Sequence, residues 1–412
     1  MTEQLKLKLN DSKATRWGAL VIVAFTMMAA YYVNDVVAPL KTMLETDLAW
    51  SSTDFGFFTG GYSFLNVFFL MLIWGGLILD RFGIRFTGKL ATILMVGGTA
   101  LEYYAMTGLA GADATLFGIN EIFGYKTGVF VAFAGYSIFG VGAEVAGITV
   151  SKIIAKWFKG KELATAMGVQ VALARIGSQA GYAVAIPLAR AFGISTPVLL
   201  GLVLLLGGMI AFFVFAVMDK KLDKQMEAAA IAAGTEDEEE KFSFKDVKNI
   251  LVNPGFWLIA LLCVLFYSCV FPFQKFASEL MIIKYGINEN VAGTFAGLPA
   301  LGALILTPVF GGFIDKRGKS ASIMLLGSAM LICVHFIYAI PDINYWLVAI
   351  VLMIILGIAF SLVPSAMWPA VAKIFPVSQL GTAYALIFFI QNIGLWGLSL
   401  IHISEPTRRT PI

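Results

Sequence analysis

Two short stretches decide the fold: GLILDRFGIR at residues 76–85 and GFIDKRGKS at residues 312–320. Each places an aspartate, a basic residue, any residue and a glycine in the same order, directly after the second long apolar run of its half of the chain. Repeated helical units are a recurrent plan of membrane transporters. The motif pair therefore predicts two copies of one helical unit.

The composition around these motifs is typical of a membrane protein. The chain is 59% hydrophobic and 13% charged, whereas soluble domains have about 45–50% apolar and about 25% charged residues. Apolar runs of about 20 residues, long enough to cross a bilayer, recur along the chain, and we expect an all-α membrane protein. The eleven predicted spans are 17–40, 55–79, 88–109, 127–150, 163–189, 196–217, 255–275, 291–314, 320–339, 344–366 and 380–401.

A polar, acidic segment divides the spans into two groups. We expect a solvated cytoplasmic linker there, because such a composition buries little apolar surface; an amphipathic segment is the alternative. The last stretch, IHISEPTRRTPI, is too polar to span a membrane, so a twelfth helix is missing and the tail is expected to be non-helical and non-native. The predicted division is an N-terminus 1–16, a six-helix bundle 17–218, a linker 219–250, a five-span bundle 251–401 and a tail 402–412.

Lysine and arginine set the predicted orientation. With a cytoplasmic N-terminus, fifteen basic residues lie in the inside segments and five in the outside loops, which is the usual bias. The outside loops contain no Asn-x-Ser/Thr acceptor, which favours a bacterial inner (plasma) membrane. The five outside residues are Lys41, Lys126, Arg190, Lys275 and Lys284.

Two opposite charges interrupt neighbouring spans: Glu144 and Arg175. A charge at a helix centre costs about 2.5–3.5 kcal/mol on insertion scales and usually marks function. Glu144 precedes the membrane boundary expected near residue 156 by 12 positions, and Arg175 follows the one expected near residue 163 by 12, so both are about 18 Å deep. The spacing predicts a substrate site, in which the carboxylate holds an ammonium and the guanidinium a carboxylate. A structural ion pair is the alternative.

The internal repeat favours the substrate site. A second pair of similar stretches, FKGKELATA at 158–166 and FPVSQLGTA at 375–383, is offset by 217 residues. The same shift places Ser361 opposite Glu144 and Asn392 opposite Arg175. The second half thus builds the same helices without either charge, whereas a requirement of the fold should have appeared in both halves.

The two motifs resemble the signature loops of the major facilitator superfamily, in which they act in a conformational gate. The segments 157–178, 256–273 and 367–395 resemble the branch of that family that contains the lysosomal dipeptide transporter. The resemblance implies a major facilitator fold of two pseudo-symmetric six-helix bundles. It also implies a di- or short-peptide substrate, bound at its two ends by Glu144 and Arg175. The residues that match the gate are Gly76, Asp80, Arg81, Gly83, Arg85, Asp315, Lys316 and Gly318.

Further polar side chains are expected to face the cavity: Tyr267, Trp368, Gln391 and Asn392. Asn34 and Asp35 are predicted at the outer end of the first span, as a gate or as interfacial residues. Glu102 is either interfacial or a proton site.

The sequence therefore predicts a secondary active or facilitative transporter that works by alternating access. An organic-anion or monocarboxylate transporter and a non-transporting membrane receptor or scaffold are the alternatives, and proton coupling stays open. We expect a monomer in a lipid bilayer that takes a small-molecule substrate, without enzymatic activity, cofactor, metal or nucleic-acid partner. An accessory subunit is not readable from the residues.

Overall fold

The computed structural model describes residues 8–111, 114–158, 161, 163–233, 244–375 and 377–404. Most of them are helical. The helices are α1 Lys13–Val36, α2 Lys41–Asp47, α3 Ser52–Phe68, α4 Met71–Thr107, α5 Thr127–Trp157, α6 Leu163–Phe192, α7 Thr196–Ala233, α8 Phe244–Val252, α9 Pro254–Ile283, α10 Glu289–Ala296, α11 Leu298–Arg317, α12 Ser320–Ala339, α13 Trp346–Ile374 and α14 Val377–Ser404. A 3-10 turn at Ala38–Leu40 joins α1 to α2, and the strands Glu121–Ile122 and Tyr125–Lys126 form a short hairpin between α4 and α5.

The predicted spans coincide with these helices. Within the described residues, seven helices are long and apolar enough to cross a membrane, or eight if the bent pair α3 and the start of α4 is one span. The bend is 59° and lies where Leu70 adopts a left-handed backbone. The other three predicted spans lie in the second part of α4, in α6 and in α14.

The helices pack around two separate cores. In the first, α1 packs on α6 and α7, and α5 packs on α3 and α4; in the second, α13 packs on α11 and α12, and α9 packs on α14. Most buried side chains of α1–α7 form one apolar cluster, and those of α9–α14 form a second, which also includes Tyr182 of α6, and a small third one around Ile314. This arrangement confirms the two-bundle fold; the bundle limits 17–218 and 251–401 stay predictions.

The two motif glycines have the same backbone dihedral. Gly83 and Gly318 both have φ of 76°, a left-handed value that side chains with a Cβ resist. Gly83 bends α4 from the second span into the third, and Gly318 ends α11. Their ψ values differ, at 173° for Gly83 and −59° for Gly318, so the sequence repeat places a glycine of positive φ in both loops but does not repeat the whole backbone conformation.

Two predicted boundaries differ from the structure. The segment 219–250 is not wholly a linker, because α7 continues to Ala233 and α8 begins at Phe244; residues 234–243 lie outside the described residues. The predicted non-helical tail is wrong for residues 402–404, where α14 continues to Ser404, and residues 405–412 lie outside the description. Leu400, Ile401 and Ile403 are apolar, so the composition of the last span continues past residue 401.

Candidate functional site

Glu144 lies on α5 with its carboxylate at the boundary between the bundles. The Tyr62 hydroxyl of α3 donates a hydrogen bond to Glu144 Oε1 at 3.1 Å. The Asn392 amide of α14 lies beside the same carboxylate. Because α3 and α14 belong to different bundles, both bundles contribute neighbours to Glu144.

Arg175 lies on α6 and also contacts both bundles. Its guanidinium carbon is 5.2 Å from the ring centre of Tyr31 on α1 and 4.8 Å from that of Phe360 on α13. Both distances are typical of cation–π contacts. Two aromatic rings therefore hold the guanidinium, and its hydrogen-bond donors are not consumed by these contacts.

The two charges are not paired with each other. In the described part of the chain no ion pair joins Glu144 to Arg175. The Glu144 carboxylate has Tyr62 and Asn392 as its partners, and the Arg175 guanidinium has Tyr31 and Phe360. Tyr31 lies in the field of both charges. Both side chains are half-buried rather than sealed. The structure thus does not contain the structural ion pair of the alternative: each charge has other neighbours, and Tyr31 is the residue on which both act.

Two of the predicted aromatic residues join this site. Trp368 Nε1 donates to the Tyr267 hydroxyl at 3.2 Å, and the Tyr384 hydroxyl donates to the Trp368 carbonyl at 3.0 Å. Tyr267 interacts electrostatically with Arg175 and Tyr31. An aromatic wall from the second bundle therefore faces the guanidinium.

Gln391 is placed differently. It is buried, and its side-chain oxygen lies 3.4 Å from the Cys263 sulfur of α9. In the described residues no contact joins it to either charge. Its predicted role at the substrate site stays untested, and its contacts are those of a packing residue.

Sequence reasoning missed Tyr31, Tyr62 and Phe360. They are three among 13 tyrosines and 34 phenylalanines, and an aromatic residue in an apolar run carries no signal of its own. Only the approach of five helices, α1, α3, α5, α6 and α13, shows that these rings lie beside the charged groups.

One end of the molecule joins the bundles through polar contacts; we call it the Lys41 end. Lys275 of α9 donates to the Asn34 carbonyl, to the Tyr136 hydroxyl at 3.0 Å, and pairs with Asp35 at 3.7 Å. The prediction that Lys275 lies in an outside loop is wrong, since it is inside α9 and nearly buried. Asn34 and Asp35 thus lie in a cross-bundle contact; a gating role for them stays a prediction.

Two further ion pairs cross the boundary at the Lys41 end. Lys41, which is 1% exposed, pairs with Glu279 of α9 at 2.6 Å. Arg190 of α6 pairs with Glu289 and donates to the Asn290 side chain at 2.6 Å. All these contacts join the first bundle to the second, so the bundles are closed against each other at this end.

The opposite end, which we call the Lys156 end, has a charge network within the first bundle. Asp219 of α7 is fully buried; it accepts from Lys156 at 2.8 Å and from Trp157 Nε1 at 3.0 Å, and it pairs with Arg85 at 3.3 Å. Arg85 and Lys156 also pair with Asp223. The signature-loop Arg85 therefore ties α4 to the part of α7 that lies just past the predicted span.

The other gate residues make no cross-bundle contact among the described side chains. Arg81 is exposed over its neighbour Phe82, at 5.6 Å, and a Cβ on Gly76 would meet open space. The side chains of Asp80, Asp315 and Lys316 lie outside the described ones. A gating role for these loops stays a prediction.

The N-terminal segment is held to the Lys156 end by a second, exposed contact. Lys161 donates to Asp11 at 2.5 Å and to the Asn10 carbonyl at 3.1 Å. This hydrogen bond and the charge of Lys161 lower the pKa of Asp11 below its usual range.

Across the described residues no three His, Cys, Asp or Glu side chains cluster to hold a metal ion.

Comparison with known proteins identifies a family and several relatives of the chain. A family model described as Major Facilitator Superfamily matches residues 20–396. The Lysosomal dipeptide transporter MFSD1 of Homo sapiens is 29% identical over 402 residues, which cover 94% of this chain and 79% of that protein. The protein of the same name from Gallus gallus is 33% identical over 274 residues, covering 63% of this chain and 59% of that protein.

Solved structures of sugar transporters share the fold. The inward open conformation of the xylose transporter XylE from E. coli superposes with a TM-score of 0.68 at 15% identity, covering 95% of this chain and 90% of that one. The D-xylose-proton symporter gives a TM-score of 0.62 at 16% identity, with 93% and 88% covered. At these identities the likeness concerns the fold alone.

Proposed function

The chain belongs to the Major Facilitator Superfamily, and on that premise we propose that it moves dipeptides or short peptides across a membrane by alternating access. The observation that carries the proposal is the unpaired arrangement of Glu144 and Arg175 at the bundle boundary. A carboxylate binds an ammonium, and a guanidinium binds a carboxylate through two parallel hydrogen bonds. A zwitterion with separated ends can therefore bridge the two residues.

The surrounding residues support this reading. Tyr62 orients the Glu144 carboxylate, and Tyr31 and Phe360 orient the guanidinium through its faces. Ring contacts leave the edge of the guanidinium open to a ligand carboxylate. Relatives at 29% identity carry the name of a dipeptide transporter, which agrees with this chemistry.

The cross-bundle contacts support alternating access. Lys41, Lys275 and Arg190 hold the bundles together at the Lys41 end. We infer that transport requires these contacts to break while the Lys156 end closes. With the N-terminus on the cytoplasmic side, the described conformation is closed to the outside.

The setting of the protein follows from the same premise. It is an integral, multi-pass membrane protein. We place it in a bacterial inner membrane, because the predicted outside loops contain no glycosylation acceptor. We expect it to act as a monomer. A pH-sensitive dye inside proteoliposomes tests whether uptake of a dipeptide also moves protons.

The test is uptake into proteoliposomes of one dipeptide in three forms: free, N-acetylated and C-amidated. We expect the wild type to accept the free form best. Glu144→Gln should lose the preference for a free amine and keep that for a free carboxylate; Arg175→Gln should do the reverse. Glu121→Gln, which alters an exposed carboxylate on the hairpin, is the control.

The two variants also separate the alternatives. Equal uptake of the free and N-acetylated forms by the wild type would favour an organic-anion carrier that uses Arg175 alone. Wild-type preferences that survive in both variants would refute the assignment of the site. Binding without uptake, measured by thermal shift, would indicate a receptor.

A further inference from the structure

Glu102 lies on α4 near the Lys41 end and has no part in the proposed peptide site. It is fully buried. In the described part of the chain, neither of its carboxylate oxygens has a hydrogen-bond partner. An ionised carboxylate without partners in a low-dielectric interior is so costly that the group takes a proton instead. The burial and the missing partners together indicate a carboxylic acid rather than a carboxylate.

The nearest cation cannot satisfy Glu102. Lys275 lies close enough to act on it electrostatically, but a lysine ammonium has three N–H donors. Those donors face the Asn34 carbonyl, the Tyr136 hydroxyl and Asp35. None is left for Glu102 while the bundles stay in contact.

The charges around Glu102 also do not balance. The titratable groups that act on it are Lys275 from α9 and Tyr136 from α5, and Asp35 from α1 pairs with the same lysine. α3, α7 and α14 also pack on α4, but among their described side chains no titratable group acts on Glu102. With one cation and two carboxylates, the cluster has one negative charge in excess unless Glu102 carries a proton.

We propose that Glu102 is a proton-binding site that stabilises the closed Lys41 end. It holds a proton while Lys275 bridges the bundles, and it releases that proton to water when α9 withdraws and the cluster is hydrated. The proton enters and leaves through the same aqueous phase, so it selects a conformation and is not carried across the membrane. The inference rests on the two-bundle fold and not on a peptide substrate.

The test measures the opening of the Lys41 end in ligand-free protein. Spin labels at Asn120 and Asn344, two exposed sites on opposite bundles, report the separation after the native cysteines are replaced by alanine. In the wild type, the separated population should grow as the buffer goes from mildly acidic to mildly alkaline, by at most about tenfold per pH unit, the limit for one linked proton. Glu102→Gln, which cannot ionise, should stay closed throughout, and Glu121→Gln should follow the wild type.

A wild-type distance distribution that ignores pH would overturn the proposal, and so would a Glu102→Gln variant that follows the wild-type curve. An infrared spectrum covers the case in which Glu102→Gln does not fold. The band of a protonated carboxylic acid should be present at neutral pH in the Glu144→Gln variant, which removes the other carboxylate of the spans that has a hydroxyl neighbour and leaves Glu102, whose two carboxylate oxygens are buried without a partner in the described spans. Its absence would contradict the assignment. Because neither measurement uses a substrate, failure of the peptide proposal leaves both interpretable.

Discussion

Removing the charge of Asp219 should destabilise the first bundle strongly. Asp219 is fully buried, with Lys156, Trp157 and Arg85 as partners. Asparagine has nearly the same shape and keeps one acceptor oxygen, so Asp219→Asn removes the charge and little packing. The variant leaves two cations to share Asp223 alone.

The magnitude follows from these contacts. Breaking a buried ion pair by removing one partner costs about 3–5 kcal/mol, and a hydrogen bond to a charged group is worth about 1.5–3 kcal/mol. The side chains of Arg85 and Lys156 are 39% and 24% exposed, so solvent offsets part of the loss. We therefore expect Asp219→Asn to lower the free energy of unfolding by about 3 kcal/mol, toward the lower end of the range for buried pairs.

The assay is reversible unfolding of the purified protein in mixed micelles, followed by tryptophan fluorescence. Asp223→Asn is the matched control, because it has the same two cationic partners but a side chain that is 40% exposed. Its loss should be no more than about 1 kcal/mol, as for surface ion pairs. If Asp223→Asn proved as damaging as Asp219→Asn, burial would not be the deciding factor and the reasoning would fail.

Two further predictions concern the backbone and the N-terminal contact. Gly83→Ala should lower the free energy of unfolding by about 1–2 kcal/mol, because Gly83 has a φ of 76°. Gly76→Ala lies in regular helix with open space around it, so it should leave the free energy of unfolding unchanged or raise it by up to about 1 kcal/mol. Thermal unfolding of both variants compares them. The pKa of Asp11 is lowered in the folded protein, so its contact with Lys161 stabilises at pH values above the unfolded pKa of an aspartate and is lost as the pH falls through the folded pKa. Thermal stability should thus decline more in acid for the wild type than for Asp11→Asn, by a small amount since the pair is exposed; identical acid profiles would contradict this.

Much of the fold could be predicted because each span is a local property of the chain. Lipid requires a spanning segment to satisfy its own backbone hydrogen bonds, so a run of apolar residues indicates a helix with few alternatives. The paired motifs added the two-bundle plan, and both loops contain a glycine of positive φ. Hydropathy places the end of the sixth span at residue 217, because the charged residues that follow resemble a solvated loop. Asp219 is instead buried against Arg85 and Lys156, which are distant in sequence.

The site could be predicted only in part. Charges in apolar runs are conspicuous, so Glu144 and Arg175 were found from the residues alone. Their neighbours were not, since Tyr31 and Phe360 look like any other aromatic residue of a span. Lys275 was misplaced in a loop because hydropathy cannot show that a lysine inside a helix has partners on another helix.

By itself, then, the amino-acid order determined the helical membrane class, the duplication and the presence of two intramembrane charges, all of which depend on hydropathy and spacing along one segment. Tertiary structure alone decided that Glu144 and Arg175 do not pair, that Lys275 joins the bundles and that Glu102 is buried without a partner. Those facts depend on how helices far apart in the chain approach one another, and a side chain's partners across a bundle leave no mark on its own stretch of sequence.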